Sequence, residues 1–172
     1  AGYRYGDTIV GSIGICTTDF NEGKLGDGHN RIISRDLADM VLTELKNDIK
    51  AGTGQEWVLR GVWDKNYCES REPQVISMML ELLSHQNYWE MKLALNPNFR
   101  FLVSRSIYKS LLRYVCFMYD RPYVVQPLPV DRMQVIESGS RLLLQWHAVT
   151  DTLEPTAVPD SYIVYTAVGD NG

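Results

Sequence analysis

The sequence is poor in the residues on which metal and nucleophile chemistry most often rests: among 172 residues there are three histidines and three cysteines. Cys16, Cys68 and Cys116 are odd in number, far apart and set among apolar or aromatic neighbours. Lacking a CxxC spacing, they exclude a zinc knuckle or a dithiol redox motif and read as small buried hydrophobes. Basic charge is also scarce, with 17 Lys and Arg against 21 Asp and Glu for a net charge of -4. The electrostatic footprint of a nucleic-acid binder is therefore missing, and no nucleic-acid partner is expected. No window approaches the roughly 18 apolar residues of a membrane span, so the chain is not expected to cross a membrane. No Gly-x-Ser-x-Gly elbow marks a serine hydrolase. Gly23, Gly26 and Gly28 resemble a phosphate cradle only superficially, since the Lys-Ser/Thr ending is absent.

What is present is ordinary for a globular protein, 45% hydrophobic and 22% charged residues, at a length that suits one domain or one and a fraction. From Thr8 to Thr17 the sequence is β-branched with interspersed glycines, which suits a buried strand with close backbone approach. Ser34 is a good N-cap for a helix whose Leu37, Val41, Leu45 and Ile49 share one face, with Gly52 and Gly54 to stop it. Trp57 to Tyr67 reads as extended and carries an Arg60-Gly61 pair, and Cys68 to Pro73 reads as a polar link. A short helix is expected after Asn87, then a break at Asn96-Pro97 and a long helix. The apolar positions of that helix, Phe101, Ile107, Leu111, Leu112, Val115 and Met118, are expected to pack it across a sheet.

The stretch from Pro73 to Asn87 carries the strongest functional signal. Its run of Val75, Ile76, Met78, Met79, Leu80, Leu82 and Leu83 has no alternation and reads as a fully buried central strand. It is interrupted by one carboxylate, Glu81, and buried carboxylates need a partner or a metal because desolvating the charge costs several kcal/mol. Glu81 is either the point where the strand leaves the core or a group at the mouth of a site. His85, four residues on, is a candidate neighbour in that site. Arg71, in the turn before the strand, is a second candidate for substrate binding, although Glu69, Ser70 and Arg71 also suit a surface turn. The aromatics Trp57, Trp63, Tyr67, Tyr88 and Trp89 suit either sugar stacking or core packing.

The order of elements over residues 1–121 describes an α/β layer fold, a mixed sheet flanked by helices. Residues 122–129, with Pro122, Pro127 and Pro129, read as a semi-rigid linker. Residues 130–172 read as an all-β unit with strands at Met133 to Ile136, Leu142 to Trp146 and Tyr162 to Val168. This unit resembles the opening of a fibronectin type III domain in Pro127-x-Pro129, in Leu142-Leu-Leu-Gln-Trp146 and in Tyr162-Ile-Val-Tyr165. The resemblance covers only the first half of such a module.

The first unit resembles the C-terminal part of a zinc-dependent N-acetylmuramoyl-L-alanine amidase domain. The matching features are Ser34 with Leu37-Ala38, Arg60-Gly61, Pro73 with Met79-Leu80-Glu81, Ser84 and Asn87, and Asn96-Pro97 with the helix to Tyr119. The sequence differs from that pattern in having Leu82-Leu83 after the glutamate and an added His85-Gln86. The resemblance is to a divergent branch found in exported bacterial proteins, often labelled xanthan lyases, that pair such a domain with a fibronectin-type module. It implies one role, for Glu81, as the general base for hydrolysis of the amide between glycan and stem peptide. It implies zinc as cofactor, with ligands upstream of this chain and none assignable within it, so that this segment alone is expected to be inactive. Peptidoglycan or another cell-envelope polysaccharide is the implied partner, and the periplasm, cell envelope or extracellular space the implied location. The alternatives are a wall- or carbohydrate-binding module without the chemistry, and a polysaccharide lyase.

Overall fold

The β-branched, glycine-containing stretch near the start forms the strand on which the fold is built. β1 (Ser12–Cys16) is buried at every residue. It is flanked by β2 (Leu59–Asp64), which runs parallel to it, and by β3 (Met79–Glu81), which runs antiparallel. The sheet is therefore mixed, in the order β2-β1-β3. The computed structural model of the chain describes residues 8–167 and residue 169. Its contacts divide it into two units, Ala1–Pro122 and Tyr123–Gly172.

The central strand is β1 and not the Pro73 to Asn87 stretch. Only Met79, Leu80 and Glu81 of that stretch form a strand, at one side of the three-stranded sheet, and all three are half-buried. Val75 is 67% exposed. An apolar run without period cannot by itself separate a buried strand from irregular chain whose residues reach the core singly. Ile76, Met78, Leu80, Leu82 and Leu83 do so here, packing on the core from a largely irregular path.

Helix α1 (Ile33–Thr53) buries the expected Leu37, Val41, Leu45 and Ile49, and Gly54 closes it. Its N-cap is Ile32 rather than Ser34. The Asn30 side chain already accepts the Ile32 N–H, so the turn begins earlier, and the buried Ser34 hydroxyl accepts the Ser77 N–H instead. Helix α2 (Cys68–Arg71) occupies the segment expected as a link, and Cys68 is exposed whereas Cys16 and Cys116 are buried. Burial, with Asp64 adding to it and Arg35 opposing, pushes the Cys16 thiol up, which suits an inert core residue. Helix α3 (Tyr88–Leu95) follows Asn87. Helix α4 (Pro97–Met118) starts at the expected break, its Asn96 N-cap accepting from Asn98 and Phe99.

The buried face of α4 is not the one its apolar residues suggest. Phe101, Leu111, Val115 and Met118 are each at least 40% exposed, while Phe99, Val103, Ser106, Ser110 and Tyr114 are buried. The helix lies against α1 rather than across the sheet, so the core is sheet, α1 and α4 in succession, with Trp57 packed on Phe99 at 5.7 Å. Two serines on the buried stripe permit close approach of the helices, and the stripe also carries Lys109, 2% exposed. Its ammonium lies 2.9 Å from Asp48 Oδ2 and 3.2 Å from Glu44 Oε1, both on α1. Burial draws the Lys109 pKa down, but the bonds and charges of Asp48 and Glu44 outweigh it, and the net shift is upward from 10.5.

A folded-state value above the unfolded one means that this contribution is complete at neutral pH and is lost as pH climbs through the folded value. Asp48→Asn is expected to cost about 2 kcal/mol at neutral pH and to start the alkaline loss of stability at a lower pH than in the parent. Urea melts at neutral pH and above the ordinary lysine range measure both; equal stabilities at every pH would show that the cluster contributes nothing.

In the second unit, β4 (Asp131–Ser138) and β5 (Arg141–His147) form an antiparallel hairpin around Gly139-Ser140. The expected third strand is not formed: residues 162–167 have no strand structure, and Val168 lies outside the described residues. Tyr162 instead packs edge-on to Trp146 at 5.2 Å. Within the stretch expected as a linker, Val125 is 1% exposed and donates its N–H to Thr156 Oγ1 of this unit. Tyr123 and Thr156 both donate to the Glu154 carboxylate.

Candidate functional site

Glu81 ends β3 opposite Ile13 of the central strand. Its Oε2 accepts a hydrogen bond from Arg60 Nη2 at 3.1 Å, and Arg60 belongs to β2, on the far side of β1. The ion pair thus spans the central strand. Arg60 is aimed there by a bulge: two steps along β1, Ser12 to Gly14, match three along β2, Leu59 to Val62. Gly61, at φ +88°, takes up the extra residue, a conformation that a side chain would strain. The Arg60-Gly61 pair therefore has a structural meaning, the glycine making the bulge and the arginine using it. The Arg60 and Glu81 side chains are 23% and 25% exposed, so the carboxylate is shielded but reachable by solvent. Arg60 Nε is buried and donates to no acceptor among the described residues.

Glu90, unlike Glu81, is a fully buried carboxylate. Glu90, 0% exposed, lies in the first turn of α3. Its Oε1 accepts the N–H groups of Val10 and Gly11, the latter at 2.7 Å, and its Oε2 accepts that of Ser84. Its own N–H goes to Asn87 Oδ1, and Asn87 Nδ2 reaches Thr8 O at 2.7 Å. These bonds pin the start of α3 to the chain leading into β1, the same end of the sheet as Ile13 and Glu81. Asn87-x-x-Glu90 is a capping-box spacing, a signal visible in the sequence that marks this position. The glutamate here reaches past the N-cap to satisfy three separate donors, two just before β1 and one between β3 and α3.

His85 is exposed in the turn between β3 and α3, on the connection that leads from Glu81 to this pinned end. Arg71 is not brought to Glu81. Helix α2 is tied to the other end of β1 through Ser70 Oγ and Thr17 Oγ1, 2.7 Å apart. At about 3.3 Å per residue, Thr17 and Ile13 are on the order of 13 Å apart. There Arg71 pairs with Glu72 and Asn66 and lies 5.9 Å from the Phe20 ring. A short loop in sequence is no guide to distance when it crosses from one end of a strand to the other. Of the five aromatics, Trp57 is core, 2% exposed, with its Nε1–H donated to Ser12 Oγ. Trp63, Tyr67, Tyr88 and Trp89 are exposed. Among the described residues, no three His, Cys, Asp or Glu side chains are grouped as a metal would require.

No family model matches the chain, and no curated protein matches it. Among solved structures, the chain is similar to N-acetylmuramoyl-L-alanine amidase from Clostridium difficile 630, at 17% identity and a TM-score of 0.52, over 67% of this chain. It spans 53% of that protein's length, and the likeness is one of fold alone.

Proposed function

We propose that the chain contributes the general-base side of a hydrolase that cleaves the amide between N-acetylmuramic acid and L-alanine in peptidoglycan. The observation that supports this reading is the carboxylate of Glu81 at the end of a sheet strand, held across the central strand by Arg60, in a fold shared with an amidase. In this reading Glu81 takes a proton from water as its oxygen attacks the amide carbonyl. It then gives the proton to the alanine nitrogen as the carbon–nitrogen bond breaks, leaving a lactyl carboxylate and a free amine. Arg60 fixes the carboxylate rotamer for both transfers. Peptidoglycan lies outside the cytoplasm, so the reading carries with it an exported protein.

Zinc would polarise the carbonyl and supply an acidified water in such a hydrolase. The described residues do not fit it, since they hold no ligand set, and the proposal places its ligands outside them. The same fact favours, as a second reading, a wall-binding module that keeps the fold without the chemistry. For the second unit, the β4–β5 hairpin supports a proposed fibronectin-type module only as far as its first two strands.

Incubation of purified peptidoglycan with the zinc-loaded full-length protein, in which the proposed ligands are present, tests the first reading. Release of stem peptide is expected, reduced about 10²- to 10⁴-fold in Glu81→Gln. No release while zinc is bound, or equal release by the variant, would reject it and leave the binding module.

A further inference from the structure

At the end of the sheet where the proposed catalytic carboxylate lies, the first turns of α3 carry two aromatic side chains that the core does not use. Tyr88 is 65% and Trp89 46% exposed, while α3 meets the core through Leu93 and the hydrogen-bonded Glu90. The two rings lie 6.3 Å apart and are inclined at 64°. In the corner between them sits Lys92 Nζ, 4.5 Å from the Tyr88 ring centre and 4.6 Å from that of Trp89. Lys92 is exposed and makes no ion pair among the described residues. Two solvent-facing aromatic surfaces with an exposed ammonium between them suit one ligand chemistry in particular. A pyranose ring presents axial C–H groups that stack on an aromatic face, and an anionic substituent on it would replace water around the ammonium.

We infer that Tyr88, Trp89 and Lys92 form a binding subsite for an acidic glycan, with the sugar ring on the aromatics and its carboxylate on Lys92. Location supports a link to the candidate site. The Glu90 bonds fix the same helical turn to Val10 and Gly11, and Gly11 precedes Ile13, the residue facing Glu81, by about 7 Å of strand. A glycan on this platform therefore lies at the end of the sheet where the amide would be cleaved. The lactyl carboxylate of N-acetylmuramic acid, free once its peptide is removed, is an anionic group of the required kind. That choice of sugar rests on the amidase reading; the platform itself does not.

Titration calorimetry on the whole chain tests this with two probes. One is the peptide-free tetrasaccharide of alternating N-acetylglucosamine and N-acetylmuramic acid; the other is its neutral counterpart, tetra-N-acetylglucosamine. The acidic probe is expected to bind more tightly, with an advantage that shrinks as salt is raised. Trp89→Ala should weaken both probes about tenfold, and Lys92→Gln should abolish only the preference for the acidic one. Both side chains are exposed, so thermal melts of the variants should match the parent; if Trp89→Ala melts early, Tyr88→Ala replaces it in the comparison. Absence of binding by either glycan, undiminished binding by the aromatic variant, or an intact acidic preference in Lys92→Gln would each overturn the inference. Because the readout is binding, its failure is separable from that of the hydrolase. Glycan binding through Trp89 without turnover rejects only the hydrolase, and turnover with unchanged binding in Trp89→Ala rejects only the subsite.

Discussion

Glu90→Ala is expected to destabilise the first unit by about 4 kcal/mol, a large share of the 5–15 kcal/mol that holds a typical domain together. The physical reason is the number of donors that depend on one side chain. Val10, Gly11 and Ser84 all give their N–H groups to the Glu90 carboxylate in a site with no exposure to water. Deleting it leaves three buried donors without acceptors, and each costs about 1–3 kcal/mol when unpaired. Glu90→Gln separates charge from geometry. An amide oxygen in the place of Oε1 still accepts from Val10 and Gly11, but the amide nitrogen then faces the Ser84 N–H, donor against donor. The expected cost is about 2 kcal/mol, roughly half that of alanine. Urea unfolding followed by circular dichroism measures both. A Glu90→Ala protein within 1 kcal/mol of the parent would show that the buried bonds make no net contribution.

Gly11→Ala should come next, at about 3 kcal/mol or more. Gly11 has φ +77°, and a Cβ placed on it would lie 1.9 Å from the Val58 carbonyl oxygen and 2.7 Å from its carbon. These are backbone atoms and cannot rotate away. The Val58 oxygen also accepts the Ser12 N–H at 3.0 Å, so any movement that relieves the clash loosens the first contact between β1 and the chain entering β2. Gly11 is moreover one of the three donors to Glu90. The two substitutions disturb one junction, and Gly11→Ala with Glu90→Ala should cost clearly less than the sum of the singles, as residues in one network do. Strict additivity would mean that the two positions act through separate parts of the fold. Loss of either should also displace α3, and with it the Tyr88–Trp89 platform.

Much of the architecture was legible from local pattern. The 3.6-residue period of Leu37, Val41, Leu45 and Ile49 gives α1 its buried face. The Asn96-Pro97 break gives the start of α4, and the turn at Gly139-Ser140 gives the hairpin. Period failed where burial did not follow apolarity. On α4, Lys109 and the serines face inward and Phe101 faces out, because the partner surface on α1 is itself polar at Glu44 and Asp48. Only the packing of two helices shows that an inward lysine meets two carboxylates. Likewise the unbroken apolar run before Glu81 reads as a central strand until the three-residue β3 is seen at the side of β1.

The candidate site divides along the same line. The sequence by itself determined which residue types were at hand: one glutamate after an apolar run, an Arg-Gly pair, a capping box at Asn87 and Glu90, adjacent aromatics at Tyr88 and Trp89, and few histidines. Those are short-range properties, set by composition and by spacing within a turn. The tertiary structure decided which of them meet. A bulge at Gly61 turns Arg60 across β1 onto Glu81, the antiparallel entry of β3 puts Arg71 at the opposite end of the strand, and three hydrogen bonds to Glu90 bring α3 to the end where Glu81 lies. Strand order, strand direction and burial are relations between segments distant in sequence, and no local pattern encodes them.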